Sequence, residues 1–305
     1  MEEFLSFLST PVISTDLNEC GIVGVNGKLY ICDAMDSQET FFEGFTETLL
    51  PWPVISVSHT AHTTAVITCE GTVYVCGRIV TTYPDVDGSV TYPDWTALPF
   101  SEPVVSVQIG FRSMLILTLS GKVYGIGRNG DGHLGINGGS DNGLDYNGVN
   151  DFTLVELPSP CLQLKVRSTS TCAVTVDGSL YAWGYQNGKL GLCELIRSPI
   201  PLKVDIPGGE LATSVEVVSS TLVLTEKGHL YNYTNSNPGQ MMSLPGFCMD
   251  MRVTLYPKIP SIAQSYTKVT RLSRVIAVGW FGYLLAARIP RPDEPNTDYV
   301  MLDVV

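Results

Sequence analysis

The sequence predicts an all-β fold assembled from one recurring antiparallel unit, and three observations predict it. A Gly-x-(Leu/Val)-Tyr pattern occurs five times, an apolar β-branched run precedes the copies, and 29 Gly with 19 Pro, spread along 305 residues, mark many turns. The copies are Gly27-Lys28-Leu29-Tyr30, Gly71-Thr72-Val73-Tyr74, Gly121-Lys122-Val123-Tyr124, Gly178-Ser179-Leu180-Tyr181 and Gly228-His229-Leu230-Tyr231. Their spacings are 44, 50, 57 and 50 residues, so each repeat is one supersecondary unit.

The unit reads as a hairpin. Ala65-Val66-Ile67, Leu115-Ile116-Leu117, Ala173-Val174-Thr175-Val176 and Leu222-Val223-Leu224 each lead through a polar residue to the repeating glycine. Asn26-Gly27 and Asp177-Gly178 predict a tight two-residue turn at positive φ, whose twist matches paired strands. Two residues past the tyrosine stand Cys32, Cys76, Ile126, Trp183 and Tyr233, which a strand places on one face. These five are expected to face one core. Part of a sixth unit is visible where Val275–Phe281 resembles Val104–Gly110, with Tyr299–Val305 as its expected hairpin partner.

A parallel solenoid would not repeat a hairpin turn, and an open stack would leave sheet edges exposed. The expectation is therefore a single β-propeller domain over residues 1–305, with six antiparallel blades and seven as the alternative. Residues 137–151 are read as a projecting loop insertion that accounts for the longest spacing, and residues 288–305 as the segment that closes the ring.

Extending the third copy gives Gly121-Lys122-Val123-Tyr124-Gly125-Ile126-Gly127-Arg128-Asn129-Gly130-Asp131-Gly132-His133-Leu134-Gly135. The fourth carries Tyr181-Ala182-Trp183-Gly184 and then Gly188-Lys189-Leu190-Gly191. These stretches resemble the regulator of chromosome condensation repeat, and the hairpin pattern extends the resemblance over residues 12 to 287. The family tends to place His eight residues before the repeat glycine, where this chain has Glu19, Thr63, Ser113, Ser170 and Ser220. The resemblance implies a propeller, usually seven-bladed, and roles as an exchange factor for Ran-like small GTPases, as a chromatin or ubiquitin-pathway module, or as a docking scaffold.

Composition excludes other classes. Eighteen Lys and Arg against 30 Asp and Glu give a net charge of -12, which opposes direct binding to a nucleic-acid backbone. The start Met1-Glu2-Glu3 lacks a basic leader, and no apolar run reaches the length of a membrane span. The expectation is a soluble cytoplasmic or nuclear protein with no membrane role. The run Val275–Ala287 is short and holds two glycines, so it reads as buried strand. Between Lys258 and Arg291 there are six basic residues and no carboxylate, and Lys268, Arg271 and Arg274, with Arg288 and Arg291, are candidates to meet an acidic partner. The competing reading is an ordinary solvated face.

Chemistry leaves few marks. Eight cysteines show no Cys-x-x-Cys pair, so no metal site is expected, and Cys32 and Cys76 are read as small buried hydrophobes. Histidines 59, 62, 133 and 229 are read as hydrogen-bonded structural residues, and Asn129-Gly130-Asp131-Gly132 as a turn. Asp85-Val86-Asp87-Gly88-Ser89 opens like a calcium loop but lacks the distal bidentate Glu, and is read as a solvated loop. No Gly-x-Ser-x-Gly elbow, phosphate loop or His-Glu-x-x-His occurs, so neither enzyme activity nor a cofactor is expected; a propeller hydrolase with paired carboxylates ranks last. In the insertion, Asp141, Leu144, Asp145 and Tyr146 are candidate contacts to another protein, against a merely tolerated insertion whose removal (Gly138–Gly148) leaves folding nearly unchanged. The leading function is a protein-protein interaction scaffold; the alternative is guanine-nucleotide exchange on a Ran-like small GTPase.

Overall fold

The structure, a computed structural model, describes residues 12–16, 19–24, 27–32, 46–60, 62–80, 89–136, 148–185, 197–217, 221–233, 240–241, 250–255, 283–291 and 294–304. The first sheet is β1 (Val12–Asp16), β2 (Glu19–Val23), β3 (Leu29–Cys32) and β4 (Thr46–Thr48), in that order. The second is β5 (Val54–Thr60), β6 (Thr63–Thr68), β7 (Val73–Val80) and β8 (Ser89–Ala97), and the third β9 (Val104–Gly110), β10 (Ser113–Thr118), β11 (Val123–Gly127) and β12 (Val149–Val155). The fourth holds β13 (Cys161–Arg167), β14 (Ser170–Thr175), β15 (Leu180–Tyr185) and β16 (Arg197–Val204). The fifth holds β17 (Ala212–Val217), β18 (Thr221–Thr225), β19 (Leu230–Tyr233) and β20 (Gln240–Met241). A sixth, three-stranded, holds β21 (Asp250–Leu255), β22 (Tyr283–Arg291) and β23 (Glu294–Val304).

Each sheet is a meander of sequence neighbours, which is what repeating hairpins produce. Two compact units are distinguished, residues 1–61 with 243–305, and residues 62–242. In the first, the last hairpin differs from expectation. Tyr283–Arg291 pairs with Glu294–Val304, a strand that begins before the expected partner's first residue, Tyr299. Val275–Phe281 lies outside the described residues, and residue 288 falls inside β22 rather than at a segment boundary. At the insertion, Val149–Asp151 already belongs to β12, so the expected loop ends earlier than residue 151.

The repeating turn is also corrected. In each repeat the residue three before the glycine accepts the glycine N–H and donates its own N–H to the residue after the glycine, as Thr175 does with Gly178 (2.9 Å) and Ser179 (3.0 Å). Gly24, Thr68, Thr118 and Thr225 make the same pair of bonds. This is a three-residue hairpin loop ending in a left-handed glycine, not a two-residue turn; Gly178 has φ +76°, whereas Asp177 has no positive φ. Glycine is required for a second reason. A Cβ on Gly71 or Gly121 would lie 2.5 or 2.6 Å from the Cβ of Pro103 or Pro160, the residue that introduces the next sheet. The glycine carbonyl accepts a hydrogen bond from the strand that follows that proline: Val104 N–H to Gly71 O and Cys161 N–H to Gly121 O, both 2.8 Å. One turn thus closes a hairpin and ties two sheets.

Within residues 62–242 the apolar residues form layers between sheets rather than one core. Ile126 packs with Ala65, Ile67, Val73 and Val75 of the preceding sheet. Trp183 and Tyr181 pack with Leu115, Leu117 and Val123, and Tyr233 and Tyr231 with Cys172, Val174, Leu180 and Ala182. Ile126, Trp183 and Tyr233, expected to share one core, therefore belong to three. Each third strand turns this position toward its own preceding sheet and the alternate residues, such as Leu180 and Ala182, toward the next. β6 and β10 are buried at every position for the same reason. Cys76 departs from its expected burial and is only half-buried, with its thiol 3.9 Å from the Pro93 carbonyl. The Cys32 side chain lies outside the described residues.

The residue two past each tyrosine has a special place. Pairing between third and fourth strands shifts between Val75 and Gly77, Gly125 and Gly127, and Ala182 and Gly184, so Cys76, Ile126 and Trp183 each stand opposite an irregularity whose extra residues lie on the fourth strand. The glycine that follows then meets backbone: a Cβ on Gly184 would lie 2.2 Å from the Thr169 oxygen.

Candidate functional site

The antiparallel strands give residues 62–242 two differently built ends. At one, the loop end, lie the turns between first and second strands and the loops between third and fourth. At the other, the turn end, lie the repeating glycines and the segments entering each next sheet.

At the loop end, the family-like stretch Arg128–Gly135 folds as the expected turn and serves as a seat for the next sheet. Asn129 is buried, donates its amide to the Ile136 carbonyl (2.9 Å) and accepts the Leu134 N–H (3.0 Å). The His133 carbonyl accepts both the Trp183 indole N–H (3.0 Å) and the Thr171 hydroxyl (2.8 Å). The Arg197 guanidinium reaches the Asp131 carboxylate at 3.2 Å. Where the family tends to place His, Thr63 and Ser170 instead donate hydroxyls to the Arg78 and Tyr185 carbonyls (2.8 and 2.7 Å). Phe111 is exposed beside them, with the Arg112 and Arg128 guanidinium carbons 5.2 and 5.4 Å from its ring centroid.

His133 is fully buried, and its ring nitrogens make no hydrogen bond of ordinary geometry, with only the Phe111 backbone near enough to favour the protonated ring. Burial takes its imidazole down to about 4, with the Asp131 carboxylate opposing that fall and the Arg128 guanidinium adding to it. The unfolded chain therefore takes up a proton near the ordinary 6.5 while the folded chain does not. Stability contributed by neutral His133 is complete above about pH 6.5 and is lost as the pH falls toward 4, on the order of 3 kcal/mol in full. His133→Leu is expected to flatten the melting temperature across this window; a slope equal to wild type would contradict this.

Among the cysteines whose side chains the structure describes, Cys69, Cys76, Cys161 and Cys172 are free. Cys161 and Cys172, not Cys76, are the buried ones, and burial pushes the Cys161 thiol up to about 12. No group of three or more His, Cys, Asp or Glu able to hold a metal ion occurs among the described residues. Nor, among them, is any helix long and apolar enough to cross a membrane.

At the turn end, lysines sit beside carboxylates: Lys122 is 3.7 Å from Glu102 and Lys227 is 3.6 Å from Glu210. Glu210 is buried and also accepts the Thr225 hydroxyl (2.7 Å) and contacts His229 Nδ1 (2.8 Å). Val105, Leu119, Leu162, Val176 and Leu211 are exposed at this end, a feature that sequence reasoning missed.

Of the residues proposed from sequence to bind a partner, Asp141, Leu144, Asp145 and Tyr146 lie outside the described residues, as do Lys268, Arg271, Arg274 and the loop of residues 81–88. The repeat residues are all described. Gly27, Gly71, Gly121, Gly178 and Gly228 have φ between +73° and +83°. Tyr181 and Tyr231 are buried, whereas Tyr30, Tyr74 and Tyr124 are half-buried; Tyr124 meets Phe100, on the segment entering its sheet, edge-on at 5.4 Å.

The four-stranded meanders, stacked face to face through residues 62–242, define a fold of the β-propeller class. Among solved structures, Prp20p from Saccharomyces cerevisiae matches with a TM-score of 0.62 at 12% identity, over 90% of this chain and 70% of that one. No family model matches the chain. The mouse (Mus musculus) regulator of chromosome condensation is 28% identical over 198 residues, which is 63% of this chain and 44% of that protein. The ultraviolet-B receptor UVR8 of Arabidopsis thaliana is 30% identical over 140 residues, 45% of this chain and 31% of that one. The chain thus spans less than half the length of these curated relatives. Its blades are similar to repeats of the regulator of chromosome condensation type.

Proposed function

We propose that the chain is a non-enzymatic protein-protein interaction scaffold, a single propeller domain over residues 1–305 whose partner is another protein, with a cytoplasmic or nuclear location. The observation that carries this reading is the gathering of exposed apolar side chains at the turn end, where a rigid frame holds them in fixed positions. Polar clusters such as Thr225, His229 and Glu210, or Asn129 with Leu134 and Ile136, are taken up in joining strands and sheets. Affinity purification of the full chain followed by mass spectrometry is expected to recover a defined partner; nothing above background would contradict the scaffold reading.

A second reading, nucleotide exchange on a Ran-like small GTPase, is supported by the similarity to the regulator of chromosome condensation and by the solved Prp20p, described with its binding to Gsp1p and histones. Exchange requires no bond chemistry, only a surface that binds the nucleotide-free GTPase better than the loaded one. Release of a fluorescent GDP analogue accelerated by the chain supports this reading, and release unchanged at saturating chain overturns it for the GTPase tested.

A further inference from the structure

We infer that the turn end of the third to fifth sheets is a docking surface for a basic amphipathic protein segment, one presenting Lys or Arg beside aliphatic side chains. The inference rests on the scaffold reading and names its partner's chemistry. Leu119 and Val176 are 67% and 60% exposed, and both occupy the first position of the three-residue loop. Leu162 and Val105 are 58% and 49% exposed, and both occupy the second position of a first strand.

This exposure has a backbone cause. Pairing of first and second strands skips Val105 between Val104 and Ser106, and skips Leu162 between Cys161 and Gln163. Each is a bulge residue whose side chain stands outside the apolar layers between sheets. The parts are contiguous: Leu119 N–H bonds the Pro103 carbonyl (2.8 Å), Val176 N–H bonds the Pro160 carbonyl (2.9 Å), and Gly178 abuts Leu211. Apolar surface that recurs at equivalent positions of successive sheets is an interaction feature rather than scattered exposure.

Charge selects the occupant. Asp177 and Glu226 are exposed in the fourth and fifth sheets' turns and Glu70 in the second sheet's turn, while Lys122 and Lys227 already stand beside Glu102 and Glu210. Hydrogen bonds from the Thr175 and Ser179 hydroxyls hold the Asp177 carboxyl below its usual range, so it stays charged. Acidic side chains around an apolar arc attract cations and repel anionic membranes and nucleic acid, as does the net charge of -12.

The test is fluorescence anisotropy with a labelled 14-residue peptide carrying Leu and Lys on opposite faces of a helix, titrated with the full chain. Binding is expected, weakening with salt, and about tenfold weaker to Leu119→Ser/Val176→Ser. Glu226→Gln weakens it less, and the same peptide with Glu for Lys does not bind. Equal binding by the double variant, equal binding of the acidic peptide, or displacement by single-stranded DNA or anionic vesicles overturns the assignment. So does concentration-dependent self-association that the double variant abolishes, since a second copy would then be the occupant. If the double variant melts early, Leu119→Ser alone replaces it. Should wild type and variant capture the same partner from lysate, the scaffold reading stands and this surface is wrong; should wild type capture none, the scaffold reading itself fails.

Discussion

Trp183→Ala is expected to lower stability by about 3–5 kcal/mol and the melting temperature by roughly 5–15 °C. The indole is fully buried between the third and fourth sheets, among Leu115, Leu117, Val123 and Leu134. Its removal opens a cavity and also strips the His133 carbonyl of one of its two donors, leaving only the Thr171 hydroxyl. Trp183→Phe separates these contributions: it refills much of the volume without the N–H, and is expected to lose about 1–2 kcal/mol. A melting temperature for Trp183→Ala within a degree or two of wild type would refute this placement.

Gly184→Ala is the second large effect. The residue has φ +89°, and an added Cβ would lie 2.2 Å from the Thr169 oxygen and 2.9 Å from His133 Cα, both backbone atoms that flexible side chains cannot relieve. Gly209 is the matched control, with φ +67° and nothing within 4 Å of its Cβ position. Gly209→Ala is expected to cost only the left-handed penalty, about 1 kcal/mol, whereas Gly184→Ala is expected to exceed about 3 kcal/mol and reduce soluble yield. Equal losses measured by urea denaturation would mean that backbone conformation alone, not the approach of the neighbouring turn, dictates glycine at position 184.

These positions show what local sequence can and cannot reveal. The hairpin repeat was readable because strands keep a two-residue period and the loop glycine is obligatory. The loop length was not, since Asx-Gly suits both a two-residue turn and the last two positions of a three-residue loop. The threonines at 68, 118, 175 and 225 mark the three-residue form, and all four are buried. The layered core was hidden because a strand covered on both sides loses its polar alternation; nothing in Leu115-Ile116-Leu117 says which residue faces which neighbour. The turn-end surface was the least readable part. A bulge is a backbone event, and Val105 and Leu162 look like core residues until the pairing shows them skipped.

Hydrogen exchange of the intact chain, resolved by peptide, tests the central structural claim most directly, namely that the second strands of residues 62–242 are buried on both faces. Amides of Thr63–Thr68, Ser113–Thr118, Ser170–Thr175 and Thr221–Thr225 are predicted to exchange slowest, and those of the outer strands Ser89–Ala97 and Val149–Val155 much faster. Outer strands protected as strongly as the second strands, or second strands exchanging as fast as the outer ones, would contradict the stacked-blade architecture on which the docking surface depends.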